Sequence, residues 1–223
     1  MLFKWLKKKG RPPPPFWRDY LARLSPPLPA DLPLAKIPFV VFDTETTGLR
    51  QDRDRLLSIG ALRVQGWKIS PADSFEVYIR QEYEPEAANI AVHGILPGSP
   101  VDRLEEAAAL EDFVRFVGNS VLVGHHVRFD IGMINAGLAP LVGNRLRSPV
   151  LDTGRLARRL LPATHILRPG ELGLDALCRR YCIAPNDRHT AAGDAMLTAL
   201  LLLKLLARLE ERGVDTLKRL QRR

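Results

Sequence analysis

An unbroken run from Ile37 to Phe42 ends directly on Asp43-Thr44-Glu45. A short apolar stretch of this kind reads as a strand covered on both faces. Side chains two apart on a strand share a face, so Asp43 and Glu45 project together while Thr44 points away. Two carboxylates at the end of a buried strand repel each other and lose hydration. Such a pair needs a cation or a shared proton. Thr46, Thr47 and Gly48 then make a turn whose backbone N–H groups suit the approach of an anion. Taken alone, the pair also fits a solvated strand end.

The rest of the chain supplies a domain for that strand. With 223 residues, 46% hydrophobic and 26% charged, it suits one ordinary domain with appendages. A core of this size needs no disulfide staples, and two cysteines exclude a disulfide framework. Leu56 to Val64 and Ser74 to Ile79 read as two further strands, separated by Gly66 and Pro71. With the first they suggest an antiparallel meander. Leu104 to Val117 has helical spacing. Ser120 to Gly124 reads as a fourth strand, followed by a helix to about Gly137, and Val150 lies in a last strand. The remainder is helical over 153–161, 171–181 and roughly 191–212. These elements predict an α/β domain over residues 36–212.

The ends differ in charge from the body. Residues 1–36 carry eight Lys/Arg against Asp19 and Asp31, and residues 204–223 carry seven basic against three acidic residues. Of the formal net charge of +8, the middle contributes −2. Residues 1–35 read as a basic, Pro-rich extension and 213–223 as a basic tail. Met1 to Gly10 starts apolar and then turns basic, the reverse of a secretory leader, so the expected compartment is the cytoplasm. The run Ala199 to Leu203 is far short of the ~20 apolar residues of a membrane span. Pro12 to Pro15 reads as a stiff spacer and Phe16 to Leu24 as a short helix. For the extension, a solvated arm, contact with nucleic-acid phosphates and docking through Phe3, Trp5 and Leu6 all remain open.

Three more chemical residues stand out. Asp130 lies about one and a half turns into the helix after the fourth strand, among Phe129, Ile131 and Ile134, where a free carboxylate is expensive. His189 and Asp194 are five apart, which on one continuous helix separates them by about 140°. They face one centre only if His189 lies in a loop and the helix begins just after it. Gly193 allows close backbone approach beside Asp194. A loop histidine near metal-bound acids can accept a proton from water near neutral pH. Singly, Asp130 also fits an exposed helix stripe, and His189 a capping or exposed histidine.

Together, Asp43-x-Glu45, Asp130 and His189-x-x-x-x-Asp194 resemble the DEDD 3′→5′ exonucleases, in the DEDDh branch that includes the epsilon proofreading subunit of bacterial DNA polymerase III. Phe39 to Gly48 is the most specific stretch, and Val92-His-Gly-Ile95 resembles a secondary motif. The likeness covers about residues 37–205. It implies a ribonuclease-H-like fold, a central mixed sheet flanked by helices, with two Mg²⁺ or Mn²⁺ ions held by Asp43, Glu45, Asp130 and Asp194. Hard oxygen donors without thiolate agree with those ions. It further implies His189 as general base, and Thr44, Thr46, Leu49 and His93 as contacts to the terminal nucleotide. The implied partners are single-stranded or frayed 3′ ends of DNA, with short RNA as the rival substrate, and a DNA polymerase subunit. A non-catalytic accessory module is the alternative from another class. The sequence stops soon after the helix following Asp194, so a long polymerase-holding tail is expected to be short or absent. One departure is His126, where relatives usually carry Asn, which leaves the first-turn hydrogen bonding of that helix open.

Other residues have plainer readings. Cys178 and Cys182 are four apart and lack two further ligands at zinc spacing, so buried, reduced thiols are expected. Asp152-Thr153 opens a helix, and capping explains it. His125 and His126 suit substrate contact or helix-start packing. Leu197 to Leu209 reads as core, and Glu82, Glu84 and Glu86 as a solvated loop.

Overall fold

The structure is a computed structural model that describes residues 12–82, 94–95 and 100–222. Its sheet is built from β1 (Phe39–Thr46), β2 (Leu56–Gln65), β3 (Lys68–Ile79), β4 (Arg103–Leu104), β5 (Val121–Gly124) and β6 (Val150–Asp152). Spatial order is β4-β3-β2-β1-β5-β6. The meander β1-β2-β3 is antiparallel, while β5 and β6 continue the sheet in parallel from β1. The expected mixed sheet is present. β3 starts six residues before the expected Ser74, because an irregularity between Leu62 and Arg63 loops out the segment around Pro71. Proline cannot donate to a ladder, and a bulge absorbs it.

The helices are α1 (Pro15–Arg23), α2 (Glu106–Val117), α3 (Arg128–Val142), α4 (Thr153–Arg159), α5 (Leu174–Arg180), α6 (Ala191–Glu210) and α7 (Leu217–Gln221). Strand alternation divides them between two faces. Phe39 and Val41 point to the side where α6 lays down Leu197, Leu201, Leu202, Leu205, Leu206 and Leu209. Val40 and Phe42 point to the opposite side, against Phe113 of α2 and Ile134 of α3. Both faces of β1 are therefore dry, which is why its apolar run is continuous rather than alternating.

Residues 15–34 and 214–220 pack onto this body. Phe16, Trp17 and Tyr20 of α1 are buried against the α2–α3 face. The Tyr20 hydroxyl accepts from Arg147 N (2.8 Å) and Ser148 N (2.9 Å). Residues 30–34 bond to the segment before and within α7: Leu34 N donates to Asp215 O, Leu217 N to Leu32 O and Lys218 N to Ala30 O. Leu217 and Leu220 are buried. The expected extension and tail thus supply core from residue 15 onward, since the aromatics between the prolines lose more by staying wet than the turn costs. Residues 1–11 lie outside the described part. Among the described residues, no helix is long and apolar enough to cross a membrane.

Candidate active site

The strand-end acids lie where β1 outruns β5. Parallel pairing between them stops at Val41 and Val123, so the last residues of β1 lack a neighbour on that side. Ligands of open α/β sheets bind at such carboxyl ends. Asp43 and Glu45 continue the face of Phe39 and Val41, so they point to the α6 side by the period-two rule. There they meet Asp194, in the first turn of α6: one ligand oxygen from each of the three lies within 4.8 Å of the others.

Glycines set this meeting. Gly60 of β2 is paired with Asp43. A Cβ on Gly60 would stand 2.3 Å from Ala192 N and 2.4 Å from the Ala191 carbonyl carbon. The bare strand lets the start of α6 press onto the sheet beside the acids. At Gly193 a Cβ would meet Asp187 O at 1.9 Å, so the loop before α6 folds directly over its first turn. Thr190 caps that turn, its hydroxyl oxygen accepting from Gly193 N at 3.0 Å. Gly60→Ala is expected to push α6 off the sheet, with a loss of about 1–3 kcal/mol and roughly 10²-fold in turnover. Thermal unfolding and steady-state rates on one preparation check this.

Asp130 arrives from the other face. It is buried in the first turn of α3, and its Oδ1 accepts from Thr44 Oγ1 at 2.6 Å. Thr44 belongs to the Val40–Phe42 face and joins the acids through that bond. Asp152 secures both neighbouring helix starts: its Oδ2 accepts from Val127 N (3.1 Å) and its Oδ1 from Arg155 N (3.1 Å). The capping expected of Asp152 is present, and it reaches the start of α3 as well. His126 has a left-handed backbone (φ 53°) and stacks on His125 at 4.3 Å. His125 Nδ1 is 2.8 Å from Thr153 Oγ1. Burial, then His126, lowers the His125 pKa to about 4, so this ring is neutral at physiological pH.

The remaining expected contacts are dispersed in role. Thr46 is buried and donates to Gly48 O at 2.7 Å, closing the turn after β1. Leu49 stands out at 83% exposed. His93 and Val92 lie outside the described residues, whereas Ile95 is buried. His189 is exposed on the loop before α6, as its spacing from Asp194 requires, with φ 65°. Cys178 is buried, but Cys182 is exposed: it falls past the end of α5 in a left-handed turn rather than on the inward face. Sequence reasoning missed Arg188, which donates through Nη1 to Asp194 Oδ2 and through Nε to Asp175 Oδ1 at 2.6 Å. It also missed Gly60, although an interior strand glycine signals a close backbone approach.

The acid cluster is built at an electrostatic cost. Burial, then Asp130, Asp194 and Glu45, raises the Asp43 carboxyl well above its ordinary range, against the opposing charge of Arg188. Burial, then Asp194 and Asp130, raises Glu45 to about 7. Burial raises Asp130 to about 6, opposed by the Thr44 hydrogen bond. The Asp194 Oδ1 atom is buried without a hydrogen-bond partner among the described residues. An orphaned carboxylate oxygen facing two more acids, all hard oxygen donors, fits a divalent ion of the Mg²⁺ or Mn²⁺ kind.

The sign of the linkage follows. In the metal-free fold these carboxyls keep protons that the unfolded chain releases near pH 4. Their contribution to stability is present below that pH and is lost as pH rises through about 6–7. A cation must displace the same protons, so it binds better above that interval. Saturating Mn²⁺ is therefore expected to raise the melting temperature by roughly 5–10 °C at pH 8 and by far less at pH 5. Equal shifts at both pH values would contradict this origin.

A six-stranded sheet in this order, with an acid cluster at the end of β1 under a helix, is a ribonuclease-H-like fold. The chain belongs to the exonuclease family, whose model matches residues 40–202. It is 36% identical over 186 residues to the PolC-type DNA polymerase III of Oceanobacillus iheyensis, covering 83% of this chain and 12% of that protein. It is 35% identical over 201 residues to a DNA polymerase III subunit epsilon-like protein of Rhodobacter capsulatus, covering 89% and 28%. The chain thus spans under a third of either relative. Among solved structures, E. coli exonuclease I in complex with a dA16 oligonucleotide superposes with TM-score 0.66 at 18% identity, covering 79% of this chain and 42% of that one. Exonuclease X in complex with 5′-overhanging duplex DNA gives 0.57 at 21%, covering 76% and 91%. These likenesses establish the shared fold.

Proposed function

We propose that the chain is a metal-dependent 3′→5′ exonuclease that hydrolyses phosphodiester bonds at DNA 3′ ends and releases 5′-mononucleotides. The observation that carries this reading is the convergence of Asp43, Glu45 and Asp194 on one point, with a buried, unpartnered Asp194 oxygen. The exonuclease family and the polymerase III relatives support it. Asp43 would hold both of two divalent ions, with Glu45 and Asp194 sharing one and Asp130 the other. When bound, such ions stabilise the attacking and leaving oxygens of an in-line displacement at phosphorus.

The chain's own residues do the rest. Thr44 fixes the Asp130 carboxylate through its hydroxyl. His189, exposed on the loop before α6, accepts a proton from the attacking water. Exposed Leu49 would wedge under the terminal base, with Thr46 closing the turn before it. Thr44 and His93 are the further nucleotide contacts. A single-stranded or frayed DNA end is the substrate, in proofreading, repair or trimming, and the epsilon-like relative supports a DNA polymerase subunit as partner.

The test is mononucleotide release from matched 3′-labelled single-stranded DNA and RNA, with Mg²⁺, Mn²⁺ or chelator. Metal-dependent loss of the DNA label is the expected result. Preference for RNA would move the substrate to RNA with the same residues in the same roles. Undiminished activity in excess chelator would sink the metal proposal.

A further inference from the structure

One guanidinium holds the His189 loop from two sides. Arg188 Nε donates to Asp175 Oδ1 at 2.6 Å in the first turn of α5, and Nη1 donates to Asp194 Oδ2 in the first turn of α6. The Arg188 side chain is 20% exposed; its Asp194 partner is 11% exposed and its Asp175 partner 52%, so the Asp194 arm is the better shielded of the two. Among the described residues the Asp175 arm is the one side-chain bond that ties residues 184–190 to α5.

The loop needs such a tie. Asp187 (φ 52°) and His189 (φ 65°) flank Arg188 in the left-handed region. Non-glycine residues keep such angles only where their surroundings over-determine them. Thr190 Oγ1 donates to Asp187 O at 2.9 Å, and Gly193 admits that carbonyl against α6. Those contacts secure the α6 side. Among the described residues, the Arg188–Asp175 bond is the side-chain hydrogen bond toward α5. Its bond to Asp194 Oδ2 also leaves Oδ1 as the free oxygen of that carboxylate.

We infer that Asp175 and Arg188 are positioning residues, a strut that fixes where the His189 imidazole stands relative to the acid cluster without touching the reacting atoms. The inference rests on the reading of His189 as proton acceptor. The Asp175 carboxyl is held below its ordinary range, first by the Arg188 hydrogen bond and further by the charges of Arg188 and His189. The carboxylate that grips Arg188 therefore lies within electrostatic reach of the imidazole. A base displaced by about 1 Å loses roughly 10²-fold in rate, so a strut of this kind acts on the chemical step.

Asp175→Asn is the cleanest test, because it keeps the side-chain shape and Asp175 is not one of the three converging acids. With the full chain, Mg²⁺ and 3′-labelled single-stranded DNA, kcat is expected to fall roughly 10- to 100-fold. KM, and Mn²⁺ affinity by calorimetry, should stay within about twofold, the signature of an interaction made only in the transition state. Arg188→Lys keeps the charge but not the planar fork, and should lower kcat at least as far, with Mn²⁺ affinity shifting too because Arg188 also holds the Asp194 carboxylate. In a His189→Ala background, Asp175→Asn should cost nothing further, since the strut acts through the imidazole. Wild-type kcat in Asp175→Asn beside a crippled His189→Ala would overturn the strut alone, as would its full cost reappearing in the double variant. Wild-type turnover in His189→Ala would overturn the proton-acceptor reading and the strut together.

Discussion

Asp43→Asn is expected to lose at least roughly 10³-fold in turnover while leaving the metal-free protein at least as stable at pH 8. Both halves come from one position. One ligand oxygen of Asp43 lies within 4.8 Å of those of Glu45 and Asp194, with Asp130 close enough to raise its pKa. Its ionised form is resisted by burial and by three like charges, so at neutral pH the carboxylate costs folding free energy. Asparagine fills the same volume without the charge, and the strand beneath it is pinned by β2 and β5. The catalytic half follows because no neighbour on β1 can replace an oxygen at the centre of the cluster. The same variant should lose the Mn²⁺-dependent rise in melting temperature. Activity, Mn²⁺ shift and metal-free stability on one sample test the account. A variant that is inactive because it unfolds would contradict the electrostatic part.

His189→Ala should fall roughly 10²–10⁴-fold in kcat and keep its affinity for Mn²⁺. The separation from Asp43→Asn is the informative feature. The imidazole stands on an exposed loop, outside the three residues whose ligand oxygens converge. Removing it therefore takes away a proton acceptor and no oxygen donor. The residual rate should climb with pH more steeply than that of the native chain, because hydroxide from solvent replaces the missing base. Calorimetric Mn²⁺ titration beside a pH–rate series distinguishes the two roles. Loss of Mn²⁺ binding in this variant would make His189 a ligand rather than a base.

What could be read from sequence depended on the range of the interaction. The β1 apolar run and its terminal acids were legible because strand parity and burial are local rules, and the same parity places Asp43 and Glu45 toward α6. The loop position of His189 was legible because five residues cannot bring it and Asp194 to one side of a continuous helix. Arg188 was not legible: one arginine among many has no periodic signature, and its two partners come from different helices. Gly60 was hidden because the element it admits, α6, is 131 residues further along. The core role of α1 was masked by flanking prolines, which read as a linker until Phe16, Trp17 and Tyr20 find a hydrophobic face. Gly60 and α1 were missed through contacts between segments distant in sequence, and Arg188 through contacts that only the packing of α5 against α6 brings together.

The most direct test of the central claim is the polarity of digestion. Single-stranded DNA labelled at its 5′ end should, with Mg²⁺ and the native chain, shorten in single-nucleotide steps, the label remaining on the longest fragments first. The same strand labelled at its 3′ end should yield labelled 5′-mononucleotide from the earliest times, and Asp43→Asn should give neither. Immediate release of a labelled mononucleotide from the 5′-labelled strand, or internal cuts without a ladder, would contradict the account.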